Sequence, residues 1–420
     1  LHRYSPKQII KLNHSGMPDG ERECSICHRH DYLKDGETEC EICWTLKQMS
    51  GNILKGDFFT VTSKKEKTCL PLPGNCYLAT DTESTLRKRM KEDNYYIRSY
   101  SKNKPYSGYY VSTKLWVGDY VNGETFEELG QRATGIERIA VMRADVDNLG
   151  QAFVRGFENE KNGSKYVTLS RTATFSRKLS MFFKYHINSL LKEGGYSILE
   201  EEAQMEKEDD RRNALIVYSG GDDLFIVGAW DDIIGFAVDL HDNLMEYSQD
   251  TLKISAGIGI YPSKYPISIM ARETGRLEEA AKSVEGKNAV ALFDEKYTFP
   301  WEEFIENVVE EKLYFIQKYF KVVDEKGKNF LYNLLELVRK RKEDKINIAR
   351  FAYLLGRMEP KVQRGEKKEE IEEKRNLHRE FSRKMYEWIR VEKDAKELEM
   401  AIYLYVYTKR EKEEHDGVNE

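Results

Sequence analysis

Three features are missing from this 420-residue sequence, and each absence limits the kind of protein that it can be. No apolar run approaches the roughly 20 residues of a membrane-spanning helix, so we expect neither a membrane segment nor a signal peptide. There is no excess of basic residues, because 67 Lys and Arg stand against 72 Asp and Glu, for a net charge of −5. Any contact with nucleic acid must therefore come from local basic patches. Nothing points to secretion, so we expect a cytoplasmic protein without disulfide bonds.

Cysteine is scarce, and four of the six cysteines form one pattern. Cys24 and Cys27 make one CxxC pair, Cys40 and Cys43 make another, and twelve residues separate the pairs. Four thiolates at this spacing favour a structural, tetrahedral Zn²⁺, and free thiols are the alternative. Residues 1–60 hold few apolar side chains, so we predict a small zinc-ribbon-like module that depends on the ion.

The most informative segment is a glycine and aspartate turn between two apolar runs. It consists of Ser219, Gly220, Gly221, Asp222 and Asp223, and its β-branched flanks are typical of a hairpin between buried strands. Such a hairpin presents two adjacent carboxylates at the tip of a sheet. A solvated Gly-Gly turn is the plain alternative for this motif taken alone.

A second acidic cluster follows another apolar run. Asp145, Val146 and Asp147 come after a predicted strand over residues 139–144. Hard cations prefer oxygen ligands and keep phosphate as a co-ligand, so carboxylates from two strand ends suit Mg²⁺ or Mn²⁺ with a nucleoside triphosphate. We therefore predict a two-metal site in which Asp145, Asp222 and Asp223 bind the ions.

The pattern along the chain predicts four regions and an α+β fold. Residues 61–134 alternate Tyr- and Thr-rich runs with turn residues, which indicates a β-rich connector. Residues 135–298 follow the ferredoxin-like order β-α-β-β-α-β with an added helix and strand. That plan places the end of the first strand beside the hairpin, so that the two acidic clusters can meet. Residues 299–420 have helical periodicity and form a predicted α-helical C-terminal domain.

These motifs together resemble a known family. The segment 144–150, the turn 219–223, the four-cysteine module before them and the helical tail after them resemble the large palm-domain subunit of type III CRISPR–Cas interference complexes, the Csm type in particular. The resemblance implies a palm domain of the nucleotidyl cyclase and polymerase type. It also implies that this domain converts ATP into cyclic oligoadenylate when the complex binds target RNA. The implied setting is prokaryotic cytoplasm and antiviral defence. The implied partners are guide RNA, target RNA, a small helical subunit and a subunit that binds the guide end.

In that family an HD nuclease domain and a first palm domain normally precede this region, so we expect the chain to be a fragment that lacks both. Its HD dipeptides begin at His30, His241 and His415, and none is accompanied by further ligands at metal-binding spacing. We therefore assign no nuclease activity to this chain. The first palm domain usually contributes half of the ATP cleft, so the chain alone would hold half a site.

An element after the last palm helix resembles part of the diguanylate cyclase signature. Residues 281–288 are similar to Ala-Lys-x-x-Gly-Arg-Asn, whose basic side chains grip the triphosphate, with one residue added and Lys287 in place of Arg. Lys282 or Lys287 could take that role, and two merely exposed lysines are the alternative.

Backbone groups and one hydroxyl complete the expected site. The carbonyl of Val146 is a candidate metal ligand. Gly220 and Gly221 are expected to let the hairpin backbone approach the nucleotide, where a Cβ would collide. Ser219 is expected to hydrogen-bond a phosphate or a base.

Two other functions stay open on the sequence. A diguanylate cyclase reads guanine with Asn-Asp where this chain has Phe153 and Val154, and it has Glu-Phe where this chain has Asp223 and Leu224, so GTP is disfavoured. The other possibility is a catalytically silent scaffold for RNA and partner subunits. The intact carboxylates argue against it, because crowded carboxylates without a metal repel one another. A basic run at 339–342 is better explained as a charged helix end than as an RNA contact.

Overall fold

The structure is a computed structural model that describes residues 24–27, 37–66, 68–92, 94–103, 113–158, 161, 163–205, 211–323, 329–360 and 368–410. It separates into two compact units, Leu1–Val117 and Gly118–Glu420. The four predicted regions have other boundaries, and those boundaries stay predictions. Over the described ranges, no helix combines the length and the apolar character needed to cross a bilayer.

The first unit contains a five-stranded sheet. Its strands are β1 (Phe58–Thr62), β2 (Leu70–Leu72), β3 (Cys76–Asp81), β4 (Tyr96–Lys102) and β5 (Thr113–Leu115), in the order β2-β3-β1-β4-β5. Alternate residues of the central strand β1 are buried, as expected when one face of a sheet packs on a core. Two helices, Glu41–Lys55 and Glu83–Glu92, belong to the same unit. The ammonium of Lys102 donates to the carbonyls of Ile53 and Leu54, so a cation satisfies the end of the first helix.

The second unit contains a six-stranded sheet. Its strands are β6 (Ile139–Val146), β7 (Ala214–Ser219), β8 (Asp223–Ala229), β9 (Ile254–Tyr261), β10 (Ala289–Leu292) and β11 (Thr298–Pro300). They lie in the order β11-β10-β9-β6-β8-β7, and every neighbouring pair is antiparallel except β9 with β10. The strands β9-β6-β8-β7 have the ferredoxin-like order, which confirms the predicted palm plan.

Helices connect the strands of this palm sheet. Before β6 lies Phe126–Arg132, and between β6 and β7 lie Leu149–Arg155, Leu169–Met181, a π-helical turn Phe182–His186, Ile187–Glu193 and Glu201–Met205. Two longer helices follow, Trp230–Ser248 after β8 and Ile267–Lys282 after β9. The segments Leu169–Met181, Phe182–His186 and Ile187–Glu193 follow one another without a break, so they form one continuous helix with a wider turn inside it.

The alternation of side chains along β6 decides what each face of the sheet contacts. Met142 joins the main core of the unit, whereas Val141 packs with Met270 of the Ile267–Lys282 helix. Side chains two residues apart share a face of a strand. Asp145 is therefore directed to the face that this helix covers.

The last part of the chain is helical, as predicted. A π-helical segment Glu303–Leu313 continues into Tyr314–Val322, Asn329–Arg339 ends in a 3₁₀ turn Lys340–Lys342, and the other helices are Ile346–Gly356, Lys368–Arg390 and Glu392–Lys409. The indole N–H of Trp301 donates to the carbonyl of Ile254 at 2.9 Å, which fixes the start of this region on β9. Lys312 and Glu397 are both fully buried and form an ion pair at 2.6 Å. Each charge needs the other, because an unpaired charge in the interior is costly.

Candidate functional site

The predicted hairpin forms, and contacts inside the turn hold it. The N–H of Gly220 donates to the carbonyl of Asp223 at 2.8 Å. A Cβ on Gly220 would collide with the carboxylate of Asp223 and the hydroxyl of Tyr218, so a side chain there would displace both groups. A Cβ on Gly221 would meet only the Ser180 hydroxyl, at 3.8 Å. The backbone at Gly221 therefore has room beside it for a bound group.

The two acidic clusters meet at one end of the palm sheet. Asp145 stands opposite Asp223 in the antiparallel pairing of β6 with β8, and directly opposite residues carry their side chains on the same face. The N–H of Val146 donates to the carbonyl of Asp222 at 3.2 Å, which ties the strand end to the turn. The side chain of Val146 is buried, so only its backbone can serve as a ligand.

The three carboxylates influence one another electrostatically. Burial, together with the charges of Asp145 and Asp223, raises the pKa of Asp222 above its ordinary value, and Lys282 offsets part of this effect. A hydrogen bond with the Asp223 carboxylate raises the pKa of the Tyr218 phenol. A cation bound among these groups would relieve the repulsion that the raised pKa of Asp222 reflects.

Lys282, one of the two candidate lysines, lies against this cluster. Its ammonium is 2.5 Å from Oδ2 of Asp145 and 2.7 Å from Oε1 of Glu278. Burial opposes its charge, but the hydrogen bonds to Asp145 and Glu278 prevail and raise the pKa of Lys282. Arg143 reaches the other oxygen of Glu278 with its Nε at 3.1 Å. Arg143 and Glu278 were not predicted, although the (i, i+4) spacing of Glu278 and Lys282 on a helix signals such a pair.

Lys287, the other candidate lysine, contacts the segment that follows β6. Its ammonium donates to Oδ1 of Asn148 at 2.8 Å, and Lys287 and Asn288 both have positive φ in a tight loop. Asp147 is buried and accepts from the N–H of Asn288 and the hydroxyl of Ser255, each at 2.9 Å. Asp147 therefore anchors the loop that carries Lys287, a role that the sequence did not reveal.

Ser219 directs its hydroxyl at the neighbouring helix. The hydroxyl donates to the carbonyl of Phe183, which lies in the π-helical turn Phe182–His186. Single π turns in helices are rare and frequently lie at functional sites. The predicted contact of Ser219 with a phosphate or base stays a prediction. While its hydrogen is engaged, the oxygen of Ser219 can only accept.

The acidic cluster offers the oxygen donors that hard cations prefer, and the ammonium of Lys282 lies against one of its carboxylates, Asp145. Among the described residues, the four cysteines are the group of three or more possible ligands whose donor atoms lie within 4.8 Å of one another. The aspartates do not form such a closed group. An open arrangement fits ions that are shared with a nucleotide, because phosphate oxygens complete their coordination.

The four cysteines converge, as their spacing predicts. The Sγ atoms of Cys27 and Cys40 are 3.7 Å apart. Two ligands of a tetrahedral Zn²⁺ with bonds of about 2.3 Å are separated by about 3.8 Å. Hydrogen bonds from the backbone at Cys27 and Cys40 lower the pKa of Cys24 to about 6, whereas a hydrogen bond with Cys27 and burial raise the pKa of Cys43 to about 12. Without a metal, therefore, Cys24 ionises readily and Cys43 keeps its proton. Cys24, Cys40 and Cys43 are buried and Cys27 is exposed, so the donor set fits a structural Zn²⁺.

The HD dipeptide within the palm domain has a structural explanation. The ring of His241 stacks on Trp301 with centroids 5.0 Å apart, and its Nδ1 is 2.8 Å from Asp242. Among the described residues, His241 and Asp242 belong to no group of three or more possible metal ligands. His30 and His415 lie outside the described residues.

The basic run 339–342 is occupied by contacts within the chain. Arg339 pairs with Glu399 at 2.9 Å, Lys340 with Glu336 at 2.6 Å, and Lys342 with Glu392 at 2.5 Å. These partners agree with the interpretation of the run as a charged helix end.

An antiparallel ferredoxin-like sheet, with aspartates at a hairpin tip and at the adjacent strand end, defines a palm domain. Comparison with known families gives the same class. The family Cas10/Cmr2, second palm domain, matches residues 138–291, and the family CRISPR RNA silencing complex Cmr2 subunit, second helical domain, matches residues 317–411.

The chain belongs to the Cas10/Csm1 family of subtype III-A CRISPR systems. It is 42% identical over 422 residues to a Mycobacterium tuberculosis protein, covering 98% of this chain and 50% of that protein. It is 38% identical over 420 residues to a Streptococcus thermophilus protein, covering 97% of this chain and 50% of that protein. Both are described as the CRISPR system single-strand-specific deoxyribonuclease Cas10/Csm1. The chain thus spans about half the length of the curated relatives it matches.

Solved structures share the fold. A crystal structure described as a Csm1-Csm4 cassette in complex with one ATP has a TM-score of 0.57 and 24% identity, covering 85% of this chain and 49% of that one. One described as the cassette in complex with cA4 has a TM-score of 0.58 and 22% identity, covering 84% of this chain and 49% of that one. At such identities the likeness concerns the fold alone.

Proposed function

We propose that this chain is the nucleotidyltransferase part of the large subunit of a type III CRISPR effector complex, and that it converts ATP to cyclic oligoadenylate when the complex binds target RNA. The observation that carries the proposal is the meeting of Asp145, Asp222 and Asp223 at one end of the palm sheet. The structures described with ATP and with cA4 belong to proteins of the same fold, which supports the choice of substrate.

The carboxylates of Asp145, Asp222 and Asp223, with the carbonyl of Val146, are the ligands we assign to two Mg²⁺ or Mn²⁺ ions. When bound, such ions neutralise charge on the triphosphate and make a ribose 3′-hydroxyl more acidic. The residues of the chain position the nucleotide. The Gly221 backbone, with open space beside it, allows close approach.

Lys282 is the lysine that we assign to the triphosphate. Its ammonium already lies at Asp145, so a phosphate oxygen bound next to that carboxylate comes within its reach. Lys287 lies on the loop held by Asp147 and can contact the same nucleotide from that side. Both contacts would add positive charge where the leaving pyrophosphate becomes more negative.

Two residues near the start of the palm argue against GTP as the substrate. Where diguanylate cyclases have polar residues for guanine, Phe153 packs edge-on against Phe175, with centroids 4.9 Å apart. Val154 beside it is 65% exposed. An apolar surface of this kind offers no hydrogen bonds to the guanine edge, so it does not favour GTP.

We also propose that the chain is a scaffold of the ribonucleoprotein. Its partners would be guide RNA, target RNA, a small helical subunit and the subunit that binds the guide end. The cysteine cluster would hold a structural Zn²⁺ and take no part in the chemistry. The relatives are described as single-strand-specific deoxyribonucleases, and we assign that activity to no residue of this chain.

The test is product identification from an assembled complex. The complex with guide and matching target RNA receives ATP or GTP with Mg²⁺ or Mn²⁺, and mass spectrometry identifies the products. We expect cyclic oligoadenylates from the parent protein and none from the Asp222→Ala/Asp223→Ala variant, which should still assemble. The Asp294→Ala/Glu295→Ala variant removes an adjacent acidic pair after β10 and serves as the matched control, with synthesis retained.

Each other result has a definite meaning. Guanylate products would point to a diguanylate-cyclase-like enzyme. No product from a complex that binds target RNA would indicate a catalytically silent scaffold. Failure of the Asp222→Ala/Asp223→Ala variant to assemble would contradict the separation of chemistry from scaffolding.

A further inference from the structure

The position of Lys282 has a consequence beyond binding of the triphosphate. Its ammonium is in direct contact with Asp145, a carboxylate to which we assign a metal ion. Mg²⁺ and related ions bind carboxylate oxygens at about 2.0–2.6 Å. An ion at that distance from Asp145 would occupy space that the ammonium now fills. Both cations cannot keep this contact on the same oxygen.

We propose that Lys282 is a placeholder cation, which neutralises Asp145 in the metal-free protein, is displaced when the metal–nucleotide complex binds, and then contacts the triphosphate. This inference rests on the proposed function, because it requires a metal site at Asp145. It assigns one lysine two successive positions, and it makes metal binding and triphosphate binding mutually dependent.

The surroundings of Lys282 allow it to move. Its side chain is 29% exposed, so its ammonium can reach solvent or a phosphate without crossing the core. It is the last residue of the Ile267–Lys282 helix, where the helix dipole favours a cation in either position. Its long, unbranched stem can swing the ammonium several ångströms without any change in the backbone.

Glu278 would keep a partner after Lys282 leaves. Glu278 is buried, so it would carry a costly unpaired charge if it had no cation beside it. Arg143 holds its Oε2 at 3.1 Å, whereas Lys282 holds its Oε1. Because Arg143 stays paired with Glu278, it removes the main penalty for release of the lysine.

The balance of charge also favours exchange. Three carboxylates, Asp145, Asp222 and Asp223, influence one another here, and a single ammonium leaves them under-neutralised. A divalent ion adds more positive charge at the same place. Lys264 is a suitable reference, because its side chain is 84% exposed and pairs with Glu127 at 3.5 Å, outside the site.

The experiment measures Mn²⁺ binding to the intact protein without nucleotide, by electron paramagnetic resonance or calorimetry. If Lys282 competes with the ion, Lys282→Met should lower the Kd for Mn²⁺ about fivefold, a typical worth for a partly exposed ion pair. Lys282→Arg keeps the charge and should stay near the parent value. Lys264→Met removes an exposed lysine that pairs with Glu127 outside the site, so it is the control and should leave nucleotide-free Mn²⁺ binding unchanged.

A second titration uses a non-hydrolysable ATP analogue with and without Mn²⁺. In the parent protein the ion should strengthen binding of the analogue, partly because it releases Lys282 to the phosphates. In Lys282→Met this strengthening should shrink, since coupling between two ligands is reciprocal and one of its carriers is gone. Circular dichroism and thermal midpoints confirm that each variant is folded.

The outcomes separate this inference from the function it rests on. If the parent protein binds no Mn²⁺, or if Asp222→Ala/Asp223→Ala binds it equally well, the assigned metal site itself is wrong. If the parent binds Mn²⁺ through these aspartates but Lys282→Met binds it no tighter, or more weakly, Lys282 is not a placeholder. In that case the metal site stands and the lysine merely orders the carboxylates.

Discussion

The cysteine cluster and the aspartate cluster are two candidate metal sites built in opposite ways. The four Sγ atoms lie within 4.8 Å of one another, three of the cysteines are buried, and no ligand position is left over. Asp145 and Asp223 lie on two paired strands, Asp222 lies in the turn before the second strand, and the ammonium of Lys282 contacts Asp145. A site that stabilises a fold benefits from a complete set of ligands, whereas a site that exchanges substrate has to leave positions open.

The difference is visible in how each site is supported. The cysteines lie on a short turn and at the start of the Glu41–Lys55 helix, with few apolar neighbours, so the ion is needed to hold them. Asp145 on β6, Asp223 on β8 and Asp222 in the adjoining turn belong to a sheet that packs on a large apolar core. We therefore expect loss of metal to unfold one region and only to silence the other.

The largest expected effect concerns the cysteine cluster. A structural Zn²⁺ contributes about 10 kcal/mol or more to the folding of small metal-dependent modules. Cys40→Ser should therefore release the ion and expose the Glu41–Lys55 helix to hydrogen exchange, which mass spectrometry can measure alongside zinc content. Cys76→Ser, outside the pattern, is the control and should keep about one zinc per chain. A well-folded parent protein without zinc would remove the structural site from the account.

A smaller effect in free energy, but a decisive one for activity, is expected at Asp145. Asp145→Asn should reduce oligoadenylate synthesis by at least about 10²-fold, comparable to loss of one preorganised electrostatic contact, and leave the thermal midpoint unchanged or higher. Asp147→Asn is the matched partner. It should mainly lower stability, by about 1 to 3 kcal/mol, because the buried Asp147 holds the loop through Asn288. Equal losses of stability in the two variants would contradict this division.

Two lysine–carboxylate pairs, one buried and one partly exposed, are expected to differ in their contribution to stability. Lys312 and Glu397 have side chains 1% exposed, so Lys312→Met should lower the free energy of unfolding by about 3 kcal/mol. Glu397 would lose its nearest cation and keep Asn307 at 3.3 Å and Lys393 at 4.0 Å. Lys282 and Asp145 are 29% and 26% exposed, so Lys282→Met should cost at most about 1 kcal/mol. Chemical denaturation of both variants measures the two values. A large loss for Lys282→Met would mean that its pair is structural rather than exchangeable.

The smallest expected effect is a pH dependence at Asp222. Its pKa is raised in the folded protein by burial and by Asp145 and Asp223, so the folded state holds the proton more tightly than the unfolded chain. Its contribution to stability is therefore present below the ordinary aspartate pKa and is lost as pH rises through the raised folded value. In the presence of a chelator, Asp222→Asn should gain stability relative to the parent across that interval. A relative gain on acidification would reverse the assigned shift.

The meeting of the aspartates could be predicted from the sequence, because that prediction requires only the order of strands and helices. A β-α-β-β-α-β order brings the end of β6 beside the hairpin whatever the details, and the register of Asp145 with Asp223 confirms it. The convergence of the cysteines followed in the same way from local spacing.

The parts that the sequence did not predict depend on side chains far apart in the chain. Asp147 resembles its neighbour Asp145 in sequence, yet one is a buried loop anchor and the other faces the cluster. The contact of Lys282 with Asp145 joins residues 137 positions apart, which no linear motif contains. The contact of Ser219 with Phe183 depends on a π-helical turn, which has no reliable sequence signal.

The central claim, one closed structural site and one open reactive site in the same chain, is tested most directly by metal retention. The intact protein is loaded with Zn²⁺ and Mn²⁺, dialysed against a mild chelator, and analysed for both metals, with the Asp222→Ala/Asp223→Ala variant alongside. We expect about one zinc per chain to remain in both proteins, manganese to leave both, and manganese to rebind only to the parent. Loss of zinc as readily as manganese, or equal rebinding of manganese by the variant, would contradict the account.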